Sequence, residues 1–119
     1  MTTQQIAVRL AELCRQGQYE TAQKELYADD AISIEPYASA DFEKETKGLN
    51  AILEKGHKFD AMVEEAHGTT VSEPLVTGDV IAFTLGLDMT MKGRERGTME
   101  ELCVYHVKNG KIVSEQFFM

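Results

Sequence analysis

The sequence is short of positive charge. It carries 12 Lys and Arg against 20 Asp and Glu, a net charge of −8. Nucleic acids and anionic membranes are held by clustered Lys and Arg that neutralise phosphates, and this balance argues against both. The most basic stretch, Lys92 to Arg96, is interrupted by Gly93 and Glu95 and reads as a hairpin tip. Cysteine is scarce too. Cys14 and Cys103 lie in apolar patterns without CxxC spacing, as expected of buried reduced thiols. The three histidines, His57, His67 and His106, share no metal-ligand spacing with each other or with the cysteines, so no metal is expected. The glycines at 93 and 97 flank a charged turn and match no phosphate or dinucleotide loop, so no cofactor is expected. No apolar run approaches the ~20 residues that span a bilayer. The opening MTTQQIAVRL lacks the basic segment and apolar run of a secretory leader, and a cytoplasmic location is expected. What remains is a chain of 119 residues, 43% hydrophobic, enough for one domain with its own core.

Helical spacing comes first along the chain. Ile6, Leu10, Leu13 and Cys14 recur as on one face of a helix over Thr3 to Arg15, with Thr2 or Thr3 as cap and Gly17 as its close. A second helix is expected from about Tyr19 to Tyr27, stopped by Asp29 and Asp30. A short strand with Ile32 and Ile34 follows and ends on Glu35, which Pro36 holds extended. The polar stretch Tyr37 to Glu45 reads as a loop over the surface or a pocket mouth. A third helix, from about Leu49 to Asp60, presents Leu49, Ile52, Leu53, Gly56 and Phe59 inward. Four strands are then expected over Val63 to Glu73, Val80 to Met91, Thr98 to Val107 and Lys111 to Met119. The strongest hairpin signal is Asn109-Gly110, whose residues tolerate the positive φ of a type I′ turn. Three helices followed by an antiparallel meander form an α+β layout.

At LYADDAISIEP (Leu26 to Pro36), at the start of the third helix, and at the closing run YHVKNGKIVSEQFF, the chain resembles the nuclear transport factor 2-like superfamily, which includes ketosteroid isomerase and the SnoaL-like polyketide cyclases. The resemblance covers essentially the whole chain and implies a single SnoaL-like domain over residues 1–119. It implies a cone-shaped, curved antiparallel sheet wrapped around three N-terminal helices, a cystatin-like α+β barrel. A pocket would lie between the concave face and the helices, and the convex face would form a homodimer.

Laying the Asn109-Gly110 hairpin on its family counterpart turns Met99, Glu101, Cys103, Tyr105 and Val107 inward, with Val113, Glu115, Phe117 and Met119 across the turn. Glu101, Cys103, Tyr105, Glu115 and Phe117 are thus the expected ligand-binding residues. Glu35 falls where ketosteroid isomerase carries its general base, which makes it the candidate catalytic carboxylate. The family's oxyanion donors are not matched: Leu10 or a neighbour stands at the first position and Cys103 at the second, which argues against steroid isomerisation. The SnoaL-like Asp and His pair is not specified either. His106 falls on the convex side, His57 on an exposed flank, and His67 faces inward only if Val63 and Glu65 do.

Three functions are compatible with these residues. One is a protein that binds a small apolar or amphipathic molecule in the cone. Another is an isomerase, cyclase or dehydratase using Glu35 as acid or base. The third is a structural homodimer whose cavity is filled by Phe117, Phe118 and Met119.

Overall fold

The first helix begins where the sequence offers a cap. In the computed structural model, which describes residues 1–119, α1 spans Thr3–Arg15 and Thr2 closes a reciprocal capping box with Gln5. Its buried face is Ile6, Ala7, Leu10, Ala11, Leu13 and Cys14. Gly17, at φ 72°, ends it in the left-handed conformation. Helix α2, Tyr19–Leu26, buries Ala22 and Leu26.

The expected polar stop after α2 is displaced. Tyr27 is already extended, with φ −91° and ψ 145°, and strand β1 runs Tyr27–Ile34 without an intervening loop. Asp29 and Asp30 therefore lie exposed within the strand, where its pairing slips between Tyr27 and Ile32. The buried side of β1 is Tyr27, Ala31 and Ser33, while Ile32 and Ile34 are half-buried.

A loop leads to β2 (Glu45–Lys47) and then to α3, Leu49–Met62, two residues longer than expected. Gly48 enters α3 at φ 93° and donates its N–H to the Ala31 carbonyl at 2.8 Å, tying the helix to β1. The remaining strands are β3 (Val63–Val71), β4 (Leu75–Thr77), β5 (Val80–Met91), β6 (Arg96–Lys108) and β7 (Lys111–Phe118). Asn109 and Gly110, at φ 53° and 76°, form the tight turn between β6 and β7.

The sheet runs β2-β1-β7-β6-β5-β3, with β4 paired to β5. All pairings are antiparallel except β1 with β7. The sheet is thus mixed, and it remains open between β2 and β3 rather than closing as a barrel. Bulges in β3, and between β6 and β7, add the local twist and bend that let it wrap the helices. The α+β layout of three helices against a large curved sheet is the one expected.

The core lies on the concave side, where α1, α2 and Ile52 of α3 meet Ile81, Phe83 and Leu85 of β5, Cys103, Tyr105 and Val107 of β6, and Ile112 of β7. On β6 the odd-numbered residues do face inward, while Glu100, Leu102 and His106 are exposed. On β7 one expectation fails. The register slips between His106 and Val107, whose partners are Ser114 and Ile112, so Val113 drops out of phase. Ile112 is fully buried in its place, and Val113 is only half-buried.

Candidate functional site

Between the concave face and the helices lies a cavity of about 840 Å³. Its wall takes Leu10 and Cys14 from α1, Tyr27 from β1, Leu85 and Leu87 from β5, and Met99, Glu101 and Tyr105 from β6. Glu115, Phe117 and Met119 complete it on the β7 side. The loop after β1 contributes Glu35, Pro36, Tyr37, Ser39 and Phe42, so this segment stands at the cavity mouth. Phe42 is held there by Phe59 of α3, with ring centroids 6.5 Å apart. Phe117 and Met119 line the space without filling it, which removes the filled-cavity expectation.

The structure places Glu35, Glu101, Tyr105, Glu115 and Phe117 on this cavity. Cys103 lies beneath its wall, wholly buried, and packs in the core instead of lining the space. Burial, followed by repulsion from Glu101, pushes its thiol pKa upward, so it remains a neutral thiol.

The three glutamates differ in their partners. Glu115, 3% exposed, is the most buried charged side chain of the chain. It accepts hydrogen bonds from the Tyr27 hydroxyl and, at 2.6 Å, from Ser33 Oγ. Register explains the meeting, since Ser33 sits beside Glu115 in the parallel β1–β7 pair. Burial raises the Glu115 pKa, while the Ser33 and Tyr27 hydrogen bonds and Lys55 hold it down.

Glu35 is occupied differently. Lys55 of α3 bonds its Oε1 at 2.9 Å and Ser33 Oγ at 2.6 Å, and the pair is largely shielded, with side-chain exposures of 15% for Lys55 and 25% for Glu35. The Lys55 ammonium also lies 5.8 Å from the Phe117 ring centroid, within cation–π range. A hydrogen-bonded chain thus runs Glu35, Lys55, Ser33, Glu115, Tyr27 along the cavity wall.

Glu101 stands outside that chain. It forms no side-chain hydrogen bond and no ion pair with another residue, and its register partner on β5 is the apolar Leu85. Burial, then repulsion from Glu35 and Glu115, raises its pKa to about 7, against a smaller opposing pull from Lys55. An unpaired carboxyl that titrates near neutrality inside an apolar-walled cavity can take up and return a proton. Four residues along the same strand face, Tyr105 is 3% exposed and packs against Phe83 with the rings tilted and their centroids 5.4 Å apart. Burial raises its pKa well above the ordinary phenol value, so its hydroxyl stays protonated and able to donate.

No histidine joins these groups. His67 bonds Thr90 Oγ1 at 2.8 Å and is not on the cavity, because bulges at Val63–Glu65 and Ala66–Gly68 break the alternation of β3. His57 sits at the rim, exposed and 2.7 Å from Glu20, and His106 is exposed on the opposite face. No group of three or more His, Cys, Asp or Glu is arranged to hold a metal ion.

Sequence reasoning missed Ser33 and Lys55. The alternation Ala31-Ile32-Ser33-Ile34-Glu35 does place Ser33 and Glu35 on one face. Lys55 lies three residues after Ile52, the spacing of one helix face, and that was its only signal.

Comparison with known proteins agrees with this architecture. A family model described as a SnoaL-like domain matches residues 1–119. A solved protein of Mesorhizobium loti, designated both a SnoaL-like polyketide cyclase and a carbohydrate phosphatase, is 37% identical, with both chains covered in full and a TM-score of 0.90. An NTF2-like protein of Burkholderia pseudomallei (14% identity, TM-score 0.82, 100% of this chain and 92% of that one) shares the fold. So does a cystatin-like protein of Xanthomonas campestris (18% identity, TM-score 0.82, 99% and 90% coverage). A search of curated proteins returned no match. With the family model spanning every residue, the chain belongs to the SnoaL-like domain family.

Proposed function

We propose that this protein binds a small apolar or amphipathic carbonyl compound in the cone and moves a proton on it, with Glu101 as the acid–base group. The observation that carries the reading is the isolation of Glu101: of the three glutamates shielded in the cavity, Glu35, Glu101 and Glu115, it is the one left without a partner, and its pKa lies at about 7. Glu35, the carboxylate expected from the sequence, is already engaged by Lys55, and Glu115 by Tyr27 and Ser33. Aldol-type cyclisation, keto–enol isomerisation and dehydration of a β-hydroxy carbonyl compound can each begin with such a proton transfer beside a carbonyl. The cyclase designation of the Mesorhizobium relative supports the same class, and its second designation, carbohydrate phosphatase, does not.

The test needs an enolisable ketone rather than the natural ligand. 2-Tetralone, a bicyclic ketone small enough for the cavity, is incubated in D2O and exchange at its α-carbon is followed by NMR. The wild type is expected to accelerate exchange over buffer by roughly a hundredfold, the lower range for one positioned acid–base group. Glu101→Gln should remove the acceleration and Glu35→Gln should retain most of it. The reverse pattern would assign the base to Glu35. Binding of 2-tetralone without exchange would leave a ligand-binding protein and overturn the catalytic reading.

A further inference from the structure

Lys55 is the one cationic side chain shielded within the cavity wall, and burying an ammonium is costly unless its hydrogen bonds are met. An ammonium has three N–H donors. Two are committed, to Ser33 Oγ at 2.6 Å and Glu35 Oε1 at 2.9 Å. The third has no protein acceptor, and the side chain lines the cavity. The neighbours fix it there: Ile52, fully buried one turn earlier, anchors α3, and the Phe117 ring lies 5.8 Å from the ammonium. The hydroxyls of the same hydrogen-bonded chain, Tyr27 and Ser33, both donate to Glu115, so within that chain Lys55 alone keeps a free donor.

We propose that Lys55 is a catalytic residue that donates its third N–H to the carbonyl oxygen of the ligand and holds the negative charge that gathers there. The inference rests on the reading of Glu101 as the acid–base group. When the Glu101 carboxylate takes the α-proton, the electrons of the broken C–H bond form the C=C bond of an enolate, and the carbonyl electrons move onto oxygen. Lys55 then meets that oxygen with a charge-assisted hydrogen bond, the role of an oxyanion donor. The site would therefore select ketones or aldehydes bearing α-hydrogens, and bind phenols as mimics of the enol.

Phenolate formation reports this directly. p-Nitrophenol is titrated with the protein at about pH 6, where Glu101 with its pKa of about 7 is mostly protonated and does not repel an anion. 4-Nitrotoluene serves as the isostere without a hydroxyl. Wild-type protein should bind p-nitrophenol more tightly than 4-nitrotoluene and raise the ratio of phenolate to phenol by about tenfold, read from the yellow phenolate band. Lys55→Met and Lys55→Gln should still bind the phenol but lose the band. Equal binding of both probes by the wild type, with the phenol neutral, overturns the role of Lys55 while the cavity reading stands. So does a phenolate band that survives in either variant. If neither probe binds the wild type at millimolar concentration, the cavity reading falls together with the inference. The wild-type comparison decides even if one variant does not fold.

Discussion

Glu101 and Glu115 reach one cavity from neighbouring strands, yet their surroundings give them opposite tasks. Glu115 is saturated by Tyr27 and Ser33 and holds β7 against β1. Glu101 has apolar neighbours and two other carboxylates, which together favour its neutral form. A carboxyl whose folded pKa is raised weakens the fold once it ionises. Its penalty is absent below the ordinary value of 4.5, grows as pH rises, and is complete above about 7. Glu101→Gln is thus expected to melt at a higher temperature than the wild type at about pH 8 and at a similar temperature at about pH 4. A lower Tm for the variant at the alkaline end would contradict the assignment. Strand alternation, a local property, put Glu101 with Tyr105 and Glu115 with Phe117, and the resemblance of the closing hairpin set both pairs on one inward face. Neither showed which glutamate was free. That depends on Lys55 and Ser33 arriving from elements about 20 residues apart, a tertiary meeting without a local signal.

At the level of elements, α3 both roofs the cavity and carries Lys55. Its attachment is slender: Ile52 is its only fully buried residue, with Leu49 packed at the margin of the core. Ile52→Ala should therefore cost about 2–5 kcal/mol of stability, measured by urea unfolding, as expected for a large side chain removed from a packed site. A cost near zero would mean that α3 is held by its ends alone. The helices and the last hairpin were legible because caps, apolar period and Asn109-Gly110 are short-range features. Two details were not. Tyr27 turns extended directly at the helix end, so the Asp pair sits inside β1, and the bulge at Val113 turns Ile112 inward in its place. The first is set by the pairing of β1 with β7, whose residues lie some 80 positions apart, and the second by a one-residue register slip within the β6–β7 hairpin that the residue types do not signal.

Over the whole molecule, the open sheet leaves its convex face uncovered. Leu102 and Phe118, direct register partners on β6 and β7, are 40% and 45% exposed. We propose that a second copy covers this face, since two large apolar side chains side by side on a sheet favour burial. Sedimentation at micromolar concentration is expected to show twice the 13.3 kDa chain mass, reduced to one chain by Leu102→Glu. A single 13.3 kDa species in the wild type would exclude it. The net charge of −8 also bears on the ligand, because the cavity is lined by six glutamates and two aspartates against one lysine and disfavours carboxylate-bearing molecules.

The pH profile of 2-tetralone exchange tests the central claim most directly. With Glu101 as the base, the wild-type rate should rise as Glu101 ionises and level off with a midpoint at about 7, and Glu101→Gln should lose that step. A midpoint at the ordinary carboxylate value of 4.5, or a profile that Glu101→Gln leaves unchanged, would contradict it.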